Sequence, residues 1–198
     1  SSEQRKAIQE NLETALKQTH ELFIFPDFDL SIVPCGQKNA SSALKDGSIK
    51  LCSELIGKDG VLSGVLAHEL GHTLLNLWEQ PSYDNERVAD EFAVVMLLLS
   101  DKHNYVEEWI TFFEEGLNTA AEAKSIEATG DLHPLNIQRI AAIKAILSDP
   151  LPVIKRWNKV LYPNMTNQGL EKIIAGEMPL GADKDFARKV LEQRQREQ

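Results

Sequence analysis

The strongest constraint on this chain is the stretch from Val61 to Trp78, which opens after Asp59-Gly60, is apolar at most positions and stops short of Pro81. Asp59 can cap free amides, and proline is not carried into a helix interior, so the spacing predicts one long, buried helix. At its centre stands His68-Glu69-Leu70-Gly71-His72. Histidines four apart on a helix lie one turn from each other on the same face, where both imidazoles reach a single ion. Glu69, about 100° around the helix from His68, falls beside such an ion rather than on it. A carboxylate there can act as base toward a water activated by the metal, and zinc is the ion this pattern serves in hydrolytic sites. Gly64 and Gly71 interrupt the same helix at about 1 kcal/mol each relative to Ala. Their presence predicts close approach of another backbone, such as a strand beside the metal face.

Two imidazoles leave a zinc ion short of a ligand. A second helix is predicted over Glu86 to Leu99, capped by Asp84 or Asn85, largely buried, and folded back on the first by a turn through Pro81. Glu86 is the candidate third ligand. Asp90, one turn on, can accept a hydrogen bond from the outer ring nitrogen of a ligating histidine and so fix its tautomer. The reverse assignment, with Asp90 on the metal and Glu86 in support, is the runner-up. Acidic residues that only balance the helix dipole or form surface salt bridges are the bland alternative. Glu91 points elsewhere by helical spacing.

Around this pair, Glu3 to Leu22 has helical spacing in Ile8, Leu12, Leu16 and Thr19 and is expected to lie as a lid on the core. Phe23 to Pro34, Ala40 to Leu44 and Ser48 to Cys52 read as strands of a small antiparallel sheet, with turns at Gly36-Asn39 and Lys45-Gly47. Tyr105 to Leu117 is an amphipathic helix whose Trp109, Phe112 and Phe113 read as core packing. Ala120 to Asp131 is polar and partly helical. Pro134 can open a helix over Leu135 to Leu147, and shorter helices follow over Val153–Leu161, Asn167–Ala175 and Asp183–Gln195. His20 and His103 read as solvated surface residues. The fold class is therefore α+β and mostly helical.

The 198 residues, 42% apolar, suffice for one core, so a single domain over 1–198 is expected: helix and sheet to residue 58, metal helices over 59–147, and C-terminal helices over 148–198. A net charge of -9 argues against nucleic acid as partner. The apolar run Ala93 to Leu99 is far below the ~20 residues of a membrane span. The opening lacks the apolar core of a signal peptide and begins at Ser1, from which an upstream segment is expected. Cys35 and Cys52 are the only cysteines. Their spacing leaves open a disulfide, two buried thiols or part of a metal site.

Leu66-Ala67-His68-Glu69-Leu70-Gly71-His72, followed by Asn85-Glu86-Arg87-Val88-Ala89-Asp90, resembles the gluzincin pattern of zinc metallopeptidases. Two branches are similar: the CAAX-prenyl-protease type of zinc endopeptidase, and soluble bacterial metallopeptidases without membrane spans. The resemblance covers about Ser31 to Ile140 and implies a zincin-like domain with a two-helix zinc site. Asn39-Ala40 with Gly47-Ser48-Ile49 is similar to the edge strand that aligns a peptide substrate in that family. Cys35-Gly36 and Cys52-Ser53-Glu54-Leu55 resemble the paired cysteines of the bacterial branch, which implies a disulfide. His133-Pro134 and Arg139-Ile140 are similar to an element beside the active site of the prenyl-protease branch. That likeness makes His133 an oxyanion stabiliser and Arg139 a brace, against the plain readings of a capping histidine and a surface arginine. Tyr83 is a weaker oxyanion candidate. The membrane spans of the prenyl-protease branch are missing, and the segment from Leu151 matches no part of either.

The function so implied is zinc-dependent peptide hydrolysis. His68, His72 and Glu86 would hold Zn2+, Glu69 would act as general base, and the partner would be a peptide or protein substrate. The alternative is a zinc-stabilised binding or chaperone-like protein without turnover. The cysteine pair favours an extracytoplasmic over a cytoplasmic location.

Overall fold

A computed structural model describes residues 2–43, 47–57, 59–117 and 136–197. His133 and the segment Ala120 to Asp131 lie outside the described residues. The architecture is α+β and mostly helical, and the described residues sort into two compact units, 28–149 and 1–27 with 150–198.

Among the described residues, the unit 28–149 holds the sheet and four α-helices. Strands β1 (Leu30–Val33), β2 (Ala40–Ser42) and β3 (Ile49–Cys52) form one sheet in the order β1-β3-β2. The expected all-antiparallel sheet is corrected to a mixed one, because β1 runs parallel to β3 while β2 runs antiparallel to it. Burial explains the order. β3 carries Ile49 and Leu51, both with no exposure, and takes the centre, whereas the polar β2, Ala-Ser-Ser, suits an edge. The strand expected over Phe23 to Pro34 is shorter than its apolar pattern, since Phe23 is buried elsewhere and only Leu30–Val33 pairs with β3. Cys35 and Cys52 form a disulfide with Cα atoms 5.3 Å apart, which ties the chain leaving β1 to the end of β3.

Helix α2 (Asp59–Leu77) is buried on nearly every face, as its apolar composition requires. It packs against α3 (Glu86–Leu99) and α4 (His103–Leu117). Asp59 stands in its first turn rather than as its cap, and the Gly60 N–H donates instead to the Glu108 carboxylate of α4 at 3.0 Å. The two glycines record both packings. A Cβ on Gly71 would stand 3.3 Å from the Ala89 Cα and carbonyl oxygen and 3.1 Å from the Phe92 ring, and one on Gly64 would stand 2.6 Å from the Trp109 ring. Close approach is therefore the reason for both, but the neighbours are helices α3 and α4 and not the strand that was expected.

The reversal between α2 and α3 has a defined end. Glu79 adopts a left-handed conformation (φ 56°), its N–H donates to Asn76 O, and the Gln80 N–H donates to Leu75 O at 2.8 Å. This closes the helix by the bonding pattern that usually recruits glycine. Asn85 then caps α3, its side chain accepting from the Arg87 and Val88 amides at 3.0 and 3.2 Å. Helix α5 (Asn136–Ser148) packs against α3 and α4 and supplies Arg139.

The second unit contains α1 (Ser2–Leu22), α6 (Pro150–Leu161), α7 (Asn167–Ala175) and α8 (Lys184–Arg196). The end of α1 is stitched to the start of α7. Thr166 caps α7 by accepting from the Gly169 N–H at 3.0 Å, and its hydroxyl donates to Glu21 O at 2.6 Å. Phe23 bridges Met165 beside it. His20 belongs to this unit and is half-buried, stacked on Phe25 with centroids 3.8 Å apart and with Nε2 3.3 Å from Asp27, so it is not the solvated residue expected. His103 is exposed, 3.7 Å from Glu107. No helix among the described residues is long and apolar enough to cross a membrane.

Candidate metal centre

Helical spacing brings His68 and His72 to one face of α2, with their Nε2 atoms 3.2 Å apart. Helix α3 delivers Glu86 to the same point: Oε2 is 3.2 Å from His68 Nε2 and Oε1 is 3.5 Å from His72 Nε2. Ligands at 2.0–2.1 Å from a tetrahedral ion stand about 3.3–3.4 Å apart, so this triangle has the size a zinc ion takes. These three residues form a group whose ligand atoms all lie within 4.8 Å of one another. A second such group, Cys35, Cys52 and Glu54, offers no thiolate, because both sulfurs are spent in the disulfide.

Each outer ring nitrogen faces an oxygen. His72 Nδ1 stands 2.6 Å from the carbonyl oxygen of Tyr83. A carbonyl only accepts, so Nδ1 carries the hydrogen and Nε2 turns its lone pair inward. His68 Nδ1 stands 2.8 Å from Asp90 Oδ1 as an ion pair without the alignment of a hydrogen bond, so charge rather than a directed bond ties this ring to Asp90. Asp90 is in turn gripped by Arg139, which donates from Nε at 2.7 Å and from Nη2 at 2.6 Å and lies over the Phe113 ring. Asp90 thus sits on the far side of His68 from the metal point, one step behind Glu86, and Arg139 stands behind Asp90. Tyr83 enters through its backbone carbonyl.

The charges are mutually dependent. Burial alone opposes a charged imidazole at His68, but the Asp90 and Glu86 carboxylates override it and push the ring up to about 9. Burial likewise opposes charge on His72, yet Glu86 and the Tyr83 carbonyl leave it raised. Burial would raise Glu86 and Asp90. The two histidines hold Glu86 well below the usual carboxylate range, and His68 with Arg139 lowers Asp90.

Glu69 is buried, and among the described residues its carboxylate has no hydrogen-bond or ion-pair partner. It lines, with His68, His72 and Glu86, a cleft of about 520 Å³. One wall is β2 and the residues just before it, Lys38 and Asn39. Asn39 O accepts from Cys52 N at 2.9 Å and Ala43 N donates to Ser48 O at 2.7 Å. By the alternation of an antiparallel ladder, residues 39, 41 and 43 bond inward to β3, and the N–H and C=O groups of Ala40 and Ser42 point outward from the sheet edge. The opposite wall is aromatic: Trp109, Phe112 and Phe113 of α4, with Trp109 edge-on to His68 at 6.2 Å. These aromatics do more than fill the core.

Comparison with family profiles, with curated proteins and with solved structures returned no match. The geometry alone therefore carries the functional argument. Sequence reasoning missed three contributors: the Tyr83 carbonyl, the aromatic wall and Lys38. The stripe of Trp109, Phe112 and Phe113, at i, i+3 and i+4, has the width of an ordinary core-facing seam, so neither it nor the Tyr83 carbonyl carried a signal.

Proposed function

We propose that this protein is a zinc-dependent metallopeptidase of the gluzincin type, with His68, His72 and Glu86 as ligands. The observation that carries the reading is the convergence on one cleft of a His-His-Glu triangle, a buried carboxylate without a partner among the described residues, and an open strand edge. Two imidazoles and a carboxylate with one position left open are the donor set of a hydrolytic rather than a structural zinc site. Zinc, when bound, polarises the scissile carbonyl and makes water acidic enough to attack near neutral pH.

The rest is the work of the chain itself. The peptide adds to the outer edge of β2, where Ala40 and Ser42 present backbone donors and acceptors. Glu69 takes a proton from the attacking water and returns it to the departing amide nitrogen. The Tyr83 carbonyl keeps His72 in the ligating tautomer, Asp90 pairs with the outer nitrogen of His68, and Arg139 keeps Asp90 ionised and in line. The Cys35–Cys52 disulfide supports an oxidising, extracytoplasmic compartment.

The test is a zinc-loaded preparation offered a mixed peptide library, alongside Glu69→Gln. Hydrolysis by the parent, with kcat lower by about 10²–10⁴ and zinc retained in the variant, is the expected result. Retained zinc with no cleavage by either protein would reject the enzyme in favour of a zinc-stabilised binding protein.

A further inference from the structure

The cleft has a direction and, among the described residues, one uncommitted cation, and together they define a class of substrate. Lys38, at the start of the β2 wall, shares a hollow with Leu55 and Val61 beside the beginning of α2. The other end of the hairpin, Gly47, lies against Thr73 further along the helix. Strand β2 therefore runs beside α2 in the same sense, with His68 and Glu69 between its two ends. A peptide that pairs antiparallel to β2 enters at the Ser42 end and leaves, C-terminal end last, past Lys38.

The charges in the cleft are unequally committed. Glu69, Asp84 and Glu86 are carboxylates, and both donor arms of Arg139 are held by Asp90. Lys38 is exposed and has no ion-pair partner among the described residues. Its ammonium lies 5.8 Å from the centroid of Phe112, on the rim of the aromatic wall. It is also held in place: two residues before it, Gly36 N donates to Glu54 at 2.7 Å, and Cys35 is fixed by the disulfide.

On the metallopeptidase reading above, we propose that Lys38 is a specificity determinant. It selects peptides that carry a carboxylate on the C-terminal side of the scissile bond, next to a bulky apolar residue packed on Phe112 and Leu55. The carboxylate comes from an acidic side chain or from the free C-terminus of the substrate. Both present the same group to the same ammonium.

The experiment uses the full chain loaded with zinc, and a peptide series with one fixed aromatic residue. In the first arm, amidated peptides carry Glu, Gln or Lys at successive positions on either side of the aromatic residue. In the second arm, Gln peptides end in a free carboxylate or an amide at the same positions. Cleavage sites and kcat/KM are measured, together with equilibrium binding to Glu69→Gln by fluorescence anisotropy. The expected result is a preference of about tenfold for Glu over Lys C-terminal to the cut, lost in Lys38→Ala and inverted in Lys38→Glu. Success of the first arm identifies an acidic side chain, and success of the second alone identifies a chain terminus. Cleavage with no carboxylate preference in either arm, or a preference that Lys38→Glu leaves unchanged, overturns the proposal and leaves the peptidase reading standing. Absence of cleavage, with an acidic binding preference that Lys38→Glu inverts, overturns the peptidase reading and leaves the carboxylate site standing. Absence of both overturns both.

Discussion

Zinc binding by this site should be strongly linked to protons, and the structure sets the scale. In the metal-free triangle His68 is raised to about 9 by Asp90 and Glu86, so at pH 7 its Nε2 carries a proton that a metal must displace. Two pH units of competition weaken the apparent affinity at pH 7 about 100-fold relative to the fully deprotonated site, or ~2.7 kcal/mol. Apparent affinity should therefore rise about tenfold per pH unit from about pH 7 toward pH 9, with His72, also raised, steepening the slope at the lower end. The measurement is competition against a chromophoric chelator of known proton linkage, with proton release counted by calorimetry in two buffers of different ionisation enthalpy. Asp90→Asn is the decisive variant, because it removes one of the two carboxylates that raise His68. Its absolute affinity should fall by about 10–100-fold through loss of the ion pair at Nδ1. Its pH dependence should be shallower than the parent's, because only Glu86 is then left to raise His68. A parent affinity that changes less than about threefold between pH 7 and 8.5 would refute the coupling. So would an Asp90→Asn variant with the parent slope.

The same groups give the metal-free protein a stability window. His68 is raised above its unfolded value, so its contribution is full below about pH 6.5 and fades as pH climbs toward about 9; Glu86 and Asp90 are lowered, so theirs is full above about pH 4–5 and fades in acid. Thermal melts with chelator present should peak between these limits. Gly64→Ala should destabilise by about 1–2 kcal/mol in urea titrations, since the new methyl meets the root of the Trp109 ring and the strain of overpacking exceeds the gain in helix propensity. An unchanged midpoint would mean that α4 yields freely. Reducing Cys35–Cys52 opens a link across 17 residues, worth about 3 kcal/mol by loop entropy. It should also raise KM for peptides more than it lowers kcat, because the loop it anchors leads into the cleft wall at Lys38.

What the sequence made legible is short-range geometry. A helix fixes the relation of His68, Glu69 and His72 whatever surrounds it, and a cap at Asn85 fixes the phase of Glu86 and Asp90 on the next helix. The helix boundaries followed for the same reason, since Pro81, Asn85 and Gly176 act on their own neighbours. The order of the sheet did not follow. Alternation within a strand records which residues face inward, not which strand is adjacent, and only the greater burial of Ile49 and Leu51 put β3 between β1 and β2. Gly71 shows a related limit. Its missing side chain signals that something comes close, but Ala89 and a strand would leave the same trace in sequence.

The site extends this distinction from folding to chemistry. The atoms that would hold a metal are side chains on helices, and residue type with spacing encodes them. The groups around them are of another kind: a backbone carbonyl at Tyr83, which any residue could supply, a guanidinium at Arg139 that approaches Asp90 from 49 positions away, and an ammonium at Lys38 on the cleft wall, three residues after a disulfide-bonded cysteine. None of these has a local pattern, because each depends on a reversal or a long-range contact that aims it. The left-handed Glu79 is the clearest case: by ending α2 where it does, it turns the chain so that the Tyr83 carbonyl meets His72 Nδ1. Chain reversal and imidazole tautomer are thus one structural decision. A variant that extends α2 through this turn should lose metal affinity while keeping all three ligands.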